Sequence, residues 1–482
     1  MMRFLRNRFG TPADALLSLS ALIAIILFAY HFMVVAHYAV DVPWADDWAV
    51  YYPGDKRELP QPFNFAWLFS AHGPHIIVTT RVMTYFLYLT TNLDFAVYQI
   101  LNFIIFGFLC WLAYFLLGRL DVFGKVGRAA ICVAVFFTLD SKLWELHGWI
   151  GTGSNMHFVF IFALLALLVL YLNEWPAPVR MFLGGLCLAL SMLSSGWGFG
   201  WAVGLLGFLL IAYLISLAGV SDTALCRQEL MRNLPMFLLL IAVGVWLQLM
   251  SKEPTPELAF PWQAGYWDFA LNVTANAFGF DTYSRMSWLL GLACLVICLV
   301  PVFGMCFGLR DRKDFITALV IAAPIVSGLL ATALTAIGRG NPEIFAPTSS
   351  KSVHYAAPLA VAMPFVVAGW LYFLRRWRIA QIGSVAALLV ALLIGHWDGL
   401  RFASRYAPVS YSKQVALRCY KDYVAGIAEQ ANFDPNPNRY NWSKPALCND
   451  LRFNMAPVLR NAWNKRVSFG TKTVIRPWQP PR

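Results

Sequence analysis

Long apolar runs separated by short polar ones recur along this chain from about residue 14 to residue 396. The runs are continuous rather than alternating, so they read as helices and not as the strands of a barrel. Each crossing of a bilayer needs roughly 20 apolar residues. On that measure the pattern predicts about eleven spans. They lie near 14–40, 95–118, 128–140, 156–173, 180–194, 199–219, 234–250, 287–308, 315–337, 355–374 and 379–396. One further stretch, HIIVTTRVMTYFLYLTTNL (75–93), is nearly long enough. Arg81 at its middle and its threonines predict instead a helix over about 76–93 lying in the membrane interface.

The polar connections give an orientation. With the N-terminus inside, the inner connections are RFLRNR, GRLDVFGKVGR, PAPVR, CRQELMRN, LRDRKD and RRWR, which are short and basic. The outer ones are longer and poorer in Lys and Arg, as the positive-inside rule requires. The first run is longer than a secretory h-region and lacks a small-x-small cleavage site, so it reads as an uncleaved anchor. Residues 1–396 then form a transmembrane domain, and 397–482 an outer, basic tail or small domain. Fourteen of the 37 Lys and Arg lie in that tail, but five of the 25 Asp and Glu.

Composition agrees with the pattern. The chain is 59% hydrophobic and 13% charged, with a mean hydropathy of +0.60. Soluble domains average about 45–50% apolar and about 25% charged. In lipid every backbone polar group must be paired internally, so the fold class is an all-α polytopic membrane protein. Of nine cysteines, Cys419 and Cys448 lie in the tail and are the candidates for a disulfide. No Walker A or Rossmann fingerprint is present, and no Cys or His spacing fits a structural zinc site. Nucleic acid is not an expected partner.

Candidate chemistry concentrates in the outer connections. DVPWADDWAVYY (41–52) sets Asp46 and Asp47 beside Trp44 and Trp48 at the end of the first span. A carboxylate at the mouth of an apolar cavity takes a proton from an attacking hydroxyl; the plain alternative is an acidic loop with belt tryptophans. AHGPHIIVTTR (71–81) carries His72, His75 and Arg81. An arginine fork matches two phosphate oxygens, and the histidines suit a sugar hydroxyl. Asp46, Asp47 and His75 also offer ligands for a divalent cation such as Mg or Mn. The stretch 339–355 holds Arg339, Lys351, His354 and Tyr355, a set suited to an anionic headgroup. Trp149, Trp197 and Trp201 stand in glycine-rich turns as faces on which a sugar could stack, although small residues in membrane helices more often serve close packing.

The order DDW (46–48), HGPHIIVTTR (72–81), HGWIGTGSN (147–155), SSGWGFGW (194–201) and GRG…SSKSVHY (338–355) resembles that of bacterial polytopic proteins related to the C-type (GT-C) glycosyltransferase superfamily. The likeness covers roughly residues 30–360 and excludes the tail. It departs at Pro74, where an acidic residue is usual, at Ile76, where arginine is usual, and at Val353-His354-Tyr355, which stands for Ser-Arg-Tyr. The resemblance implies an inverting transfer of a sugar from a polyprenyl-phosphate carrier to a glycan, lipid or protein acceptor, on the outer face of the bacterial inner membrane. It implies Asp46 or Asp47 as base. Arg81, Arg339 and Lys351 would lie at the donor phosphate, and His72, His75, Trp149, Trp197, His354 and Tyr355 around sugar or acceptor. Two other readings fit the same chain: a lipid-linked glycan flippase or transporter, and a non-catalytic scaffold of the same fold that binds the carrier lipid. Charge gathered at one surface, without a visible internal repeat, favours the enzyme over the transporter.

Overall fold

The computed structural model describes residues 11–43, 65–70, 75–140, 146–147, 150–250, 257–280, 285–307, 309–343, 353–396 and 402–431. Among these residues there are sixteen helices and no strand. In chain order they are α1 (Pro12–Tyr38), α2 (Phe65–Leu68), α3 (Val78–Thr91), α4 (Phe95–Gly118), α5 (Lys125–Asp140), α6 (Ile150–Tyr171), α7 (Ala177–Met192) and α8 (Gly196–Ser216). There follow α9 (Thr223–Met250), α10 (Ala264–Ala277), α11 (Arg285–Cys306), α12 (Arg312–Arg339), α13 (Val353–Ala360), α14 (Met363–Phe373), α15 (Arg378–Gly395) and α16 (Phe402–Ala431). Nine helical stretches among the described residues are long and apolar enough to cross a membrane. The chain is therefore an all-helical, multi-pass membrane protein.

Two expected spans have no counterpart among the nine. α5 and α7 are present at those places but have 16 residues each. At 1.5 Å per residue such a helix is about 24 Å long, short of a hydrocarbon core of about 30 Å. The span expected near 355–374 is two helices, α13 and α14, broken at Val361–Ala362 ahead of Pro364. CRQELMRN, expected as a connection, is the first part of α9, because its Glu229 packs inward onto Arg312. The tail opens with α16, a 30-residue helix that lies against α1.

Side chains at the helix ends explain where the elements start. Thr11 and Asp14 form a capping box at the start of α1, with proline in its first turn. Asp94 caps α4 through the Ala96 and Val97 amides. Asp41, the first acid after α1, accepts from the Phe95 amide at 2.9 Å and so helps to start the same helix. Asp311 caps α12.

α12 is the centre of the bundle, and its most apolar 18-residue window is 83% buried. The same measure is 22% for α1 and 17% for α15, whose apolar faces are left for lipid. α12 packs most extensively on α8, and the seam is built of small residues. Gly196, Gly200 and Gly204 recur every four residues on α8. A Cβ on Gly204 would meet Ser327 Oγ at 2.2 Å and Cα at 2.4 Å, and one on Gly200 would touch Ala331. Ser327 Oγ in turn donates to the Trp201 carbonyl at 3.2 Å.

The two ends of the bundle differ in content. At one, Glu229 meets Arg312, Asp314 meets Tyr372 and Arg375, and the Asp222 amide donates to the Leu309 carbonyl. At the other, the Val78 amide donates to the Leu193 carbonyl, Ala259 to Ile337, and Trp197 to Thr335. Both ends of α3 meet this second end: Thr79 bonds Ser194, and the turn after Thr91 leads directly into the Asp94 cap of α4. α3 therefore lies across the Arg339 end of the bundle and does not pass through it.

Candidate functional site

The Arg339 end collects residues from four distant segments. α12 delivers Arg339 in its last turn, where a cation is favoured by the helix dipole. The Arg339 guanidinium carbon lies 5.9 Å from the Tyr355 ring centroid. The His354 and Tyr355 rings are 3.9 Å apart, and Phe269 of α10 meets Tyr355 edge-on at 5.5 Å. The charge of Arg339 acts on His354 and on His75, which enters from the segment before α3.

His75 has room only because residue 196 is glycine. A Cβ there would come within 2.6 Å of the His75 Nδ1. That nitrogen is buried and has no hydrogen-bond partner. Burial first, and then the charge of Arg339, lower the imidazole to about 4, so it is neutral at physiological pH. His75 also forms the polar end of a cavity of about 190 Å³. The other walls are apolar: Ile76, Met192, Phe199, Val245 and Leu247, with Gly196 and Gly244. Val245, Trp246 and Leu249 of α9 are exposed and continue this surface toward the lipid.

Trp197 holds the frame. Its Nε1 donates to Thr335 Oγ1 at 3.1 Å, and Thr335 stands one helical turn before Arg339 on the same face of α12. The indole N–H is thus spent on joining α8 to α12, which leaves only its ring for a ligand. The Trp201 side chain is 1% exposed and packs on Phe160, so it is not available to a sugar.

Arg81, expected at the donor phosphate, is on α3. It is fully buried under α3, and its Nη1 donates to the carbonyls of Leu68 at 3.2 Å and Ser70 at 2.5 Å. Its guanidinium lies 5.9 Å from the Trp67 ring, and burial lowers it to about 10, so it stays cationic. These bonds fasten the 65–70 segment to α3.

His75, Trp197, Arg339, His354 and Tyr355 are therefore brought together. Asp46, Asp47, His72, Trp149 and Lys351 lie outside the described residues, as does Cys448. Cys419 is disulfide-bonded, and the seven other described cysteines are free. Of the possible cation ligands only His75 is described. Among the described residues no group of three or more His, Cys, Asp or Glu could hold a metal.

A second polar centre, which the sequence did not announce, lies beneath α3. The Tyr98 hydroxyl is 3.1 Å from Ser154 Oγ, which is 3.5 Å from Thr80 Oγ1. His157 Nδ1 lies 2.9 Å from Asn102 Oδ1, and Asn102 Nδ2 donates to the Leu146 carbonyl at 2.8 Å. Gly153 admits that contact, since a Cβ there would strike the Leu146 oxygen at 2.0 Å. His147 joins it through the Phe103 and Phe106 rings. The GTGSN signal was legible as close packing, but its partner Asn102, far off in sequence, was not.

Compared with known proteins, the chain matches no family model, no curated protein and no solved structure.

Proposed function

We propose that this chain is a membrane glycosyltransferase of the GT-C type, moving a sugar from a polyprenyl-phosphate carrier to an acceptor hydroxyl at the Arg339 end of the bundle. That end is the outer one in a bacterial inner membrane. The observation that carries the reading is a cation close to a neutral imidazole that lines an apolar cavity. Arg339 supplies the charge, and His75 supplies a buried nitrogen with no hydrogen-bond partner among the described residues. The cavity of about 190 Å³ is below the roughly 300 Å³ usual for a whole small ligand. It suits one apolar segment of a lipid whose remainder stays in the bilayer, with the phosphate at the rim near Arg339.

The chemistry follows from that placement. The acceptor oxygen attacks the anomeric carbon as the bond from that carbon to the phosphate oxygen breaks. The bonding pair leaves with the phosphate, and Arg339, with Lys351, stabilises the developing charge. The acceptor proton passes to Asp46 or Asp47. Neutral His75 donates or accepts a hydrogen bond without competing with the phosphate for the arginine. His354 and Tyr355 stand beside Arg339, where the sugar or the acceptor would lie.

The test is sugar transfer by the full chain in mild detergent, with carrier binding read in parallel by native mass spectrometry. In one of Asp46→Asn and Asp47→Asn, transfer is expected to fall by about 10²–10⁴-fold, while polyprenyl phosphate still binds. Wild-type protein that binds no carrier, or transfer that survives in both variants, overturns the reading.

A further inference from the structure

We infer that the opposite end of the bundle carries a built site for an anionic phospholipid headgroup. This inference does not depend on the sugar-transfer reading. A cavity of about 220 Å³ opens where α11 and α14 end and where α12 and α15 begin. Arg310, Arg375 and Arg376 line it, and Asp314 is its one acid.

The arginines are not equivalent. Arg375 is held in place: its guanidinium stacks on the Tyr372 ring at 3.8 Å, and its Nη2 reaches Asp314 Oδ1 at 3.4 Å. The Tyr372 hydroxyl donates to the same carboxylate oxygen at 2.5 Å, which fixes the acid as well. Arg310 and Arg376 are exposed, and neither has a hydrogen bond or ion pair among the described residues. Three cations against one pinned carboxylate leave a net positive cavity. An arginine fork matches a phosphate diester, and the fixed Arg375 lowers the cost of ordering it.

The walls point to a lipid and not to a soluble anion. Phe307 and Trp377 line the same cavity and are 58% and 61% exposed. Ile379 and Ile382, in the first turns of α15 beside it, are 91% and 67% exposed. Large apolar side chains this open, at the ends of spans, face acyl chains. A phosphate in the cavity with its chains laid over Phe307, Trp377 and Ile379 satisfies both halves of the site. The source is then an anionic phospholipid such as phosphatidylglycerol.

Native mass spectrometry of the full-length protein tests this, with phosphatidylglycerol and phosphatidylcholine of matched acyl chains titrated in separately. Wild type is expected to retain phosphatidylglycerol in preference. The double variant Arg310→Ala plus Arg376→Ala is expected to bind it about 30-fold more weakly, at about fivefold per arginine near a membrane surface. Phosphatidylcholine retention should not change between the two. Arg376→Lys keeps the charge but loses the fork and should fall between, which separates a site from bulk charge. Both substituted residues are exposed and unengaged, and an unchanged melting temperature verifies the fold. Equal retention of the two lipids by wild type, or equal phosphatidylglycerol retention by the double variant, overturns the inference. So does displacement of the lipid's signal by inorganic phosphate alone at equal concentration, which would make this a soluble-anion site.

Discussion

The two ends of α12 gather different described neighbours. At its start Arg312 reaches Glu229 at 3.1 Å, and Glu229 is itself buried. Asp311 caps the helix, and Asp314 holds Arg375. Lys125 and Asp14 make a comparable pair between α5 and α1. At its finish the described neighbours of Arg339 are the imidazoles of His75 and His354 and the Tyr355 ring. Charges that answer one another fasten helices together. The same helix is thus fastened by ion pairs at its start and set among imidazole and aromatic rings at its finish.

That contrast can be broken most severely in the middle. Gly204→Leu forces a branched side chain into the Ser327 backbone and should cost about 3 kcal/mol. Both ends would be lost together, seen as a fall in the yield of folded protein and in its melting temperature in detergent. Gly200→Ala, where a Cβ would press on the Ala331 Cα at 3.3 Å and needs a shift of only a few tenths of an ångström, should cost less. A smaller effect, about 2 kcal/mol, is expected from Glu229→Ala, which leaves Arg312 unanswered. Denaturant unfolding should register it, with carrier binding per folded molecule unchanged. Arg339→Ala should do the reverse: retention of polyprenyl phosphate per folded molecule should weaken by roughly tenfold or more.

The smallest effect is a pH dependence centred on His75. Its folded value is about 4, below its unfolded value near 6.5. Between those limits the unfolded chain binds a proton that the folded chain does not, so stability falls as the pH falls through that window. On a half-buried group the loss should be roughly 1–2 kcal/mol once solvent screening is allowed for. Melting temperatures of wild type and His75→Gln from pH 7 to pH 4 measure it, and the variant should show the shallower slope.

The helices were readable where burial in lipid and burial in protein ask for the same residues. α4, α8 and α11 lie close to their apolar runs for that reason. The reading slipped where tertiary partners let polar residues be helical, as at the Glu229 turn of α9 and in α16. It slipped again where prolines at 358 and 364 flank a break within one apolar run. In the candidate site, residue types were legible and partners were not. His75 and Gly196 are far apart in sequence, and nothing in either motif says that one makes room for the other. Thr335, which ties Trp197 to the helix of Arg339, is an ordinary threonine in an apolar stretch. The charge of Arg81 was visible in the sequence, and the Leu68 and Ser70 carbonyls that its Nη1 meets were not.

The contact between α16 and α1 sets an order in time. Ser410 Oγ donates to the Tyr38 carbonyl across 372 residues of chain, and the Tyr406 hydroxyl donates to Gln99. Val34, Val35 and Phe103 form a small core with Tyr406. At about 5–20 residues per second, a ribosome needs roughly 20–75 s to make the partner after α1 has emerged. For that interval α1 lacks the flank that α16 supplies and rests, among the described helices, mainly on α4 and α5. A chain stopped before residue 402 leaves Val34, Val35 and Phe103 without Tyr406 to cover them.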